Sequence, residues 1–210
     1  PSVHLVFESH RADIMGVVTG KFTTELRGTG RVFGIKFRPG MFQPTFGNAT
    51  AELTDQVWPI ERLFGQAGLD LRDALATEAD EDRCASLAEA FLLPRLPARD
   101  TTAERVRDAV ERIATDRTII RVEQVTELLQ LSLRPLQRTF QKYVGVSPKW
   151  VIQRYRLHEA AEQLAREAQT DLTELALQLG YFDQAHFARD FKRLVGTSPR
   201  AYAKMTRTGG

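Results

Sequence analysis

The chain has 210 residues, 42% apolar and 27% charged, which is the balance of an ordinary soluble protein with room for one or two cores. No run of 18 or more apolar residues occurs, and the N-terminus lacks the basic, apolar and small-residue segments of a secretion signal, so neither a spanning helix nor a leader is readable. The net charge of +2 hides an asymmetry: residues 1–100 carry 11 Lys+Arg against 14 Asp+Glu, and residues 101–210 carry 18 against 13, which marks the second half as the one suited to a polyanion.

In chain order, Val3–Phe7, Ile14–Gly20, Phe22–Leu26 and Val32–Phe37 are apolar runs punctuated by glycines at 28, 30, 34 and 40. They predict short strands of a small, incomplete barrel or sandwich. The chain starts at Pro1, directly on such a run, and we expect its natural N-terminus to lie upstream. From Gly68 the period changes, with Leu69, Leu71 and Leu75, then Leu87, Ala90 and Phe91, at helical spacing. Cys84 lies in that stretch as the single cysteine, so no internal disulfide forms and a reducing, cytoplasmic setting fits. Pro94, Pro97 and the polar run 98–102 read as a hinge, dividing the chain into 1–97 and 98–210. Thr102 is expected to cap a helix from Ala103 to Thr115 that buries Val106, Val110 and Ile113. The overall class is α+β, a β-rich first part with helices followed by an all-α second part.

The second part repeats itself. Phe140–Pro148 aligns with Phe191–Pro199 at an offset of 51, as Arg138 does with Arg189 and Leu136 with Phe187. The helix ahead of each copy aligns at an offset of 50 (Val122 with Leu172, Val125 with Leu175, Thr126 with Ala176, Leu129 with Leu179), which leaves one extra residue in the second turn. Each copy reads as helix, tight turn, helix. In the second, Asp171 and Asp183 are the caps, Gly180 supplies the left-handed turn residue and Gly196 the stop. In the first, Ser132 caps, Pro135 sits in the first turn, and Gln130 replaces the turn glycine, predicting a strained or differently shaped turn. Ser147-Pro148 opens a long helix to about Ala168 between the copies. At about 30 Å it approaches the 34 Å of one DNA turn.

Gly180-Tyr181-Phe182-Asp183-Gln184-Ala185-His186-Phe187-Ala188-Arg189-Asp190-Phe191-Lys192-Arg193, followed by Gly196-Thr197-Ser198-Pro199 and Tyr202, resembles the signature of the AraC/XylS family of transcription regulators, and the resemblance covers about residues 103–205. Val32–Gly40 and Leu53-Thr54-Asp55 resemble the N-terminal portion of some members. The resemblance implies a seven-helix DNA-binding domain of two helix-turn-helix units joined by a long helix. It also implies a bacterial regulator, more often an activator, with double-stranded DNA and RNA polymerase as partners. Spacing sends Leu136, Phe140, Tyr143, Phe187, Phe191 and Leu194 inward. Arg134, Gln137, Arg138 and Gln141 are left as groove candidates in the first copy, and Gln184, Ala185, Ala188 and Arg189 in the second. Arg suits guanine, Gln adenine, and Ala a thymine methyl. His186 and Lys192 complete the set as phosphate contacts, beside the plainer readings of a surface histidine and a solvated charge. Arg138 and Arg189 could instead be held in salt bridges, and Arg156 reads as structural.

A DNA-associated enzyme and an effector-independent interaction protein are the competing classes. No His/carboxylate cluster has metal-ligand spacing, Cys84 has no Pro-Cys-His context, and no catalytic residue, metal site or cofactor is assigned. Val6, Val17, Phe33 and Phe37 are read as core, and alternatively as the lining of a small-molecule effector pocket. The helices from Leu69 to Leu93 could pair two subunits as a homodimer.

Overall fold

The computed structural model describes residues 1–23, 30–47, 49–167 and 170–208. It contains two compact units. One comprises Pro1–Val18, the described part of Thr24–Asp108, and Arg134–Ser147; the other comprises Thr19–Thr23, Ala109–Leu133 and the described part of Pro148–Gly210.

The first unit is built on four antiparallel strands, β1 (His4–Glu8), β2 (Arg11–Met15), β3 (Phe33–Lys36) and β4 (Val57–Pro59), in the order β3-β1-β2-β4. Opposite pairs Leu5 with Ile14, Leu5 with Ile35 and Ile14 with Trp58 set the register. Alternation then buries Leu5, Phe7, Ala12, Ile14 and Trp58 on one face. The strand expected over Ile14–Gly20 stops at Met15. Gly16 lies so close to the Leu53 backbone that a Cβ there would stand 1.6 Å from its carbonyl oxygen. Of the run Phe22–Leu26, residues 22 and 23 are not strand and residues 24–26 fall outside the described residues. Short α1 (Phe42–Phe46) and α2 (Glu61–Phe64), not expected from periodicity, carry Phe42, Phe46 and Phe64 into a chain of ring contacts that reaches Phe91. Then α3 (Gln66–Thr77) packs across β1 and β2, burying Leu71 and Leu75. Next α4 (Glu81–Leu92), capped by the Asp80 carboxylate on Arg83 N, buries Cys84.

α5 (Thr101–Thr115) begins two residues earlier than expected. Asp100, not Thr102, is its cap, accepting from Thr102 N and Ala103 N, both at 2.9 Å. The same carboxylate accepts the Tyr143 hydroxyl at 3.1 Å, which explains the choice. Val106, Val110 and Ile113 are buried as expected. Tyr143 ends α7 (Leu133–Tyr143), whose C-terminus belongs to the first unit and is held within it: Thr50 Oγ1 donates to Tyr143 O at 3.1 Å and Thr54 Oγ1 to Gly145 O at 2.7 Å.

In the second unit α6 (Val122–Leu129) packs on α8 (Pro148–Arg166), and α9 (Leu172–Gln178), α10 (Gln184–Val195) and α11 (Pro199–Thr208) complete the fold. Leu157, Ala160, Leu164, Leu172, Leu175, Ala176, Tyr181, Phe187 and Phe191 form its core. Arg156, 1% exposed, donates to the carbonyls of Ile113 and Asp116 and pairs with Glu159 at 3.2 Å. A cation there satisfies carbonyls that the end of α5 leaves without intrahelical donors, so the structural reading of this arginine stands.

Candidate nucleic-acid interface

Both turns are closed by the same backbone bonds. After α6, Gln130 N donates to Glu127 O and Leu131 N to Thr126 O (3.2 and 3.0 Å); after α9, Gly180 N donates to Leu177 O and Tyr181 N to Ala176 O (3.0 and 2.9 Å). Gln130 takes up the left-handed conformation, φ 53° and ψ 42°, where Gly180 has φ 80°. Of the two expectations for this turn, the shape is therefore kept and the strain is real. The offset of 50 holds through Leu131 and Tyr181, whereas α7 and α10 start at Leu133 and Gln184, an offset of 51. Phe182 is the extra residue.

The helix starts are built from local chemistry. Gln124, overlooked in the sequence, organises the start of α6: its Oε1 accepts from Ile120 N and Arg121 N, and its Nε2 donates to Thr118 O. Asp171 accepts from Thr173 N and Glu174 N at 2.7 and 3.2 Å, and these bonds hold its carboxyl below the ordinary range. Asp183 accepts from His186 N at 2.7 Å, Gly196 ends α10 in the left-handed region, and Ser198 Oγ accepts from Ala201 N in α11.

On α7, Leu136, Phe140 and Tyr143 are buried and Arg134, Gln137, Arg138 and Gln141 are exposed. The four stand at i, i+3, i+4 and i+7, a single stripe. On α10, Phe187 and Phe191 are buried, and Ala185, Ala188, Arg189 and Lys192 form the equivalent stripe, with Ala188 partly covered and the others exposed. The stripes correspond residue for residue across the repeat: Arg134 with Ala185, Gln137 with Ala188, Arg138 with Arg189, Gln141 with Lys192. Among the described residues neither Arg138 nor Arg189 pairs with a carboxylate, so both guanidiniums are available. Gln184 is half-buried and accepts from Thr173 Oγ1 at 3.2 Å. His186, partly exposed, is oriented by its own unit, edge-on to Tyr181 and 3.4 Å from Asp190, which also receives Arg193. Burial, and then the Asp190 carboxylate, push the Tyr181 phenol well above its ordinary value. Among the described residues no group of three or more His, Cys, Asp or Glu could hold a metal ion.

Two helices, a left-handed turn between them, a stripe of solvent-facing side chains on the second, and the whole repeated across a long helix, define the tandem helix-turn-helix class. Residues 125–205 match a family described as "Helix-turn-helix domain", and residues 1–59 match one described as "Domain of unknown function (DUF6597)". The match identifies residues 125–205 as an AraC-type helix-turn-helix DNA-binding domain, of the kind found in transcription regulators. It is 36% identical over 83 residues to a helix-turn-helix-type transcriptional regulator of Haemophilus influenzae, covering 40% of this chain and 28% of that protein. It is 37% identical over 76 residues to the transcriptional activator RhaS of Escherichia coli, covering 36% and 27%. The chain thus spans less than a third of the length of these curated relatives. Among solved structures, ToxT of Vibrio cholerae aligns over 97% of this chain and 86% of its own, at 11% identity and a TM-score of 0.41. The DNA-binding domain of AdpA, solved with a target DNA, aligns over 52% of this chain and 96% of its own, at 25% identity and a TM-score of 0.41.

Proposed function

We propose that this chain is a sequence-specific, double-stranded DNA-binding transcription regulator that reads two successive major grooves, one with the stripe on α7 and one with the stripe on α10. The observation that carries this reading is the correspondence of the two stripes, each solvent-facing, with a free arginine at the same repeat position. Arg134, Gln137, Arg138 and Gln141 form the polar reader. Ala185, Ala188 and Arg189 form a leaner one, flanked by Gln184, with Lys192 and His186 beside the phosphates. Direct readout suits these types: arginine pairs bidentately with guanine, glutamine with adenine, and alanine meets thymine methyls. The 19 residues of α8 span about 28 Å, comparable with one turn of DNA.

Residues 98–210 are the DNA-binding part and residues 1–97 the regulatory part in this reading. Bound to DNA in the cytoplasm, the protein acts on RNA polymerase as an activator, as RhaS is named. A cavity of about 560 Å³ lined by Phe7, Phe33, Leu75, Cys84, Arg31 and Arg72 is the proposed effector site. Of the residues first considered for such a pocket, only Phe33 lines it; Phe37 is core and Val6 lies on the opposite strand face. Exposed Leu93 and Leu96, at the end of α4 and just beyond it, favour this region as a homodimer contact, and a strictly monomeric sedimentation profile at tens of micromolar would remove that part.

The test of the main reading is selection of random duplexes by the full chain at about physiological salt. Two short unequal boxes about 10 base pairs apart are expected. Retention that vanishes uniformly as salt rises, with no enriched sequence, would leave only phosphate attraction and overturn it.

A further inference from the structure

Phe182 is 90% exposed, whereas the other exposed large apolar side chains among the described residues lie between 44% and 63%. It is also the one residue by which the second turn exceeds the first, since the closing bonds of both turns keep an offset of 50 and the next helices start at 51. The inserted residue is thus an unsupported phenyl ring. Tyr181 before it is buried, and Asp183 after it continues in extended backbone, φ −150° and ψ 163°, so the chain turns Phe182 out. Its acidic neighbour is engaged, because the Asp183 carboxylate accepts from His186 N at 2.7 Å. The ring therefore stands at the N-terminal end of α10, the end that helix-turn-helix proteins present to base edges, ahead of the small, apolar Ala185.

Resting on the DNA reading above, we propose that Phe182 is a specificity-determining residue of the second unit that packs on the C5 methyl of a thymine in the major groove. Phenylalanine and alanine are the side chains suited to that methyl. The second unit, with alanines where the first has Arg134 and Gln137, thereby reads its box through apolar contact as well as through Arg189. The free ring has no protein partner to lose on binding, so the water it sheds in the groove counts wholly toward the complex.

The full chain and its Phe182→Ala variant are titrated against the most enriched duplex. The same titration is run on copies in which single thymines of the second box are replaced by deoxyuridine, which removes only the methyl. Wild type is expected to lose roughly fourfold in affinity at one such position, the size of one buried methyl. Phe182→Ala is expected to lose about as much on the parent duplex and nothing further on that deoxyuridine copy, with circular dichroism and Tm unchanged. Equal losses by Phe182→Ala on every duplex, uncoupled from any methyl, would mean packing on sugar and backbone and would overturn the proposal, as would unaltered affinity. If the wild-type chain enriches no sequence, the DNA reading itself fails; specific binding by wild type with an inert Phe182 fails this proposal alone.

Discussion

Replacing Gln130 with glycine should stabilise the protein. Gln130 holds φ 53° and ψ 42° at the end of α6, where an L side chain crowds its own backbone. That conformation costs roughly 1–2 kcal/mol for a residue with a Cβ. Glycine escapes the cost but loses about 0.5–1 kcal/mol more chain entropy on folding. The difference is a gain of about 0.5–1 kcal/mol, and at about 2–4 °C per kcal/mol for a chain of this size the Tm should rise by about 1–4 °C. The side chain is exposed and the closing bonds are backbone only, so no contact is forfeited to offset the gain. Thermal denaturation by circular dichroism at pH 7 measures it. The reciprocal change, Gly180→Gln, should cost stability, because Gly180 has φ 80° and a Cβ there would stand 3.2 Å from Ile120 Cβ. A Tm for Gln130→Gly equal to or below wild type would refute the reasoning, since it would mean the left-handed residue is unstrained.

Arg138→Ala should weaken binding to the selected duplex by about 1–3 kcal/mol and relax one base preference in one box, while Lys192→Ala should weaken all sequences alike and shallow the salt dependence, both read by fluorescence anisotropy. Arg156→Met removes the donors to the Ile113 and Asp116 carbonyls and should cost about 3 kcal/mol in a denaturant titration, without changing which bases the protein prefers once folded. Asp171 is held below its ordinary carboxyl pKa by the Thr173 and Glu174 amides, so its contribution is fully present above the unfolded value of about 4 and is lost as pH falls through the lower folded value. Asp171→Ala should therefore be less stable than wild type at neutral pH, and the gap should close on acidification.

The repeat was legible because its signals are local. Asp171 and Asp183 sit where a short acceptor meets unpaired helix amides, Gly196 sits where only a residue without Cβ is comfortable, and Phe187 and Phe191 keep helical spacing. The stripe on α7 was readable for the same reason, as Leu136, Phe140 and Tyr143 claim the inner face and leave four polar residues outside. What stayed hidden depends on residues far along the chain. Asp100 and Thr102 are both good caps, and the choice falls to Tyr143, 43 residues away. β2 ends where the backbone of Leu53 crosses Gly16, which no run of apolar residues announces. The three-residue β4 is too short to show alternation, and its place follows from pairing with Asp13–Met15. Phe182 escaped notice because its exposure follows from Tyr181 taking the inward position in a turn one residue longer than its counterpart.

The bonds from Thr50 and Thr54 to the end of α7 join residues 93 and 91 positions apart. The unit that begins with the first strand therefore finishes only with residues 134–147, after a stretch that belongs to the other unit has been made. During synthesis the sheet and its helices must wait for about 55 further residues beyond α4, from Leu92 to Ser147, before their last segment is complete. Contacts of such sequence separation form slowly, since the loop must close before they reward it. The nascent chain thus passes through an interval in which the hydroxyls of Thr50 and Thr54 have no carbonyl to meet.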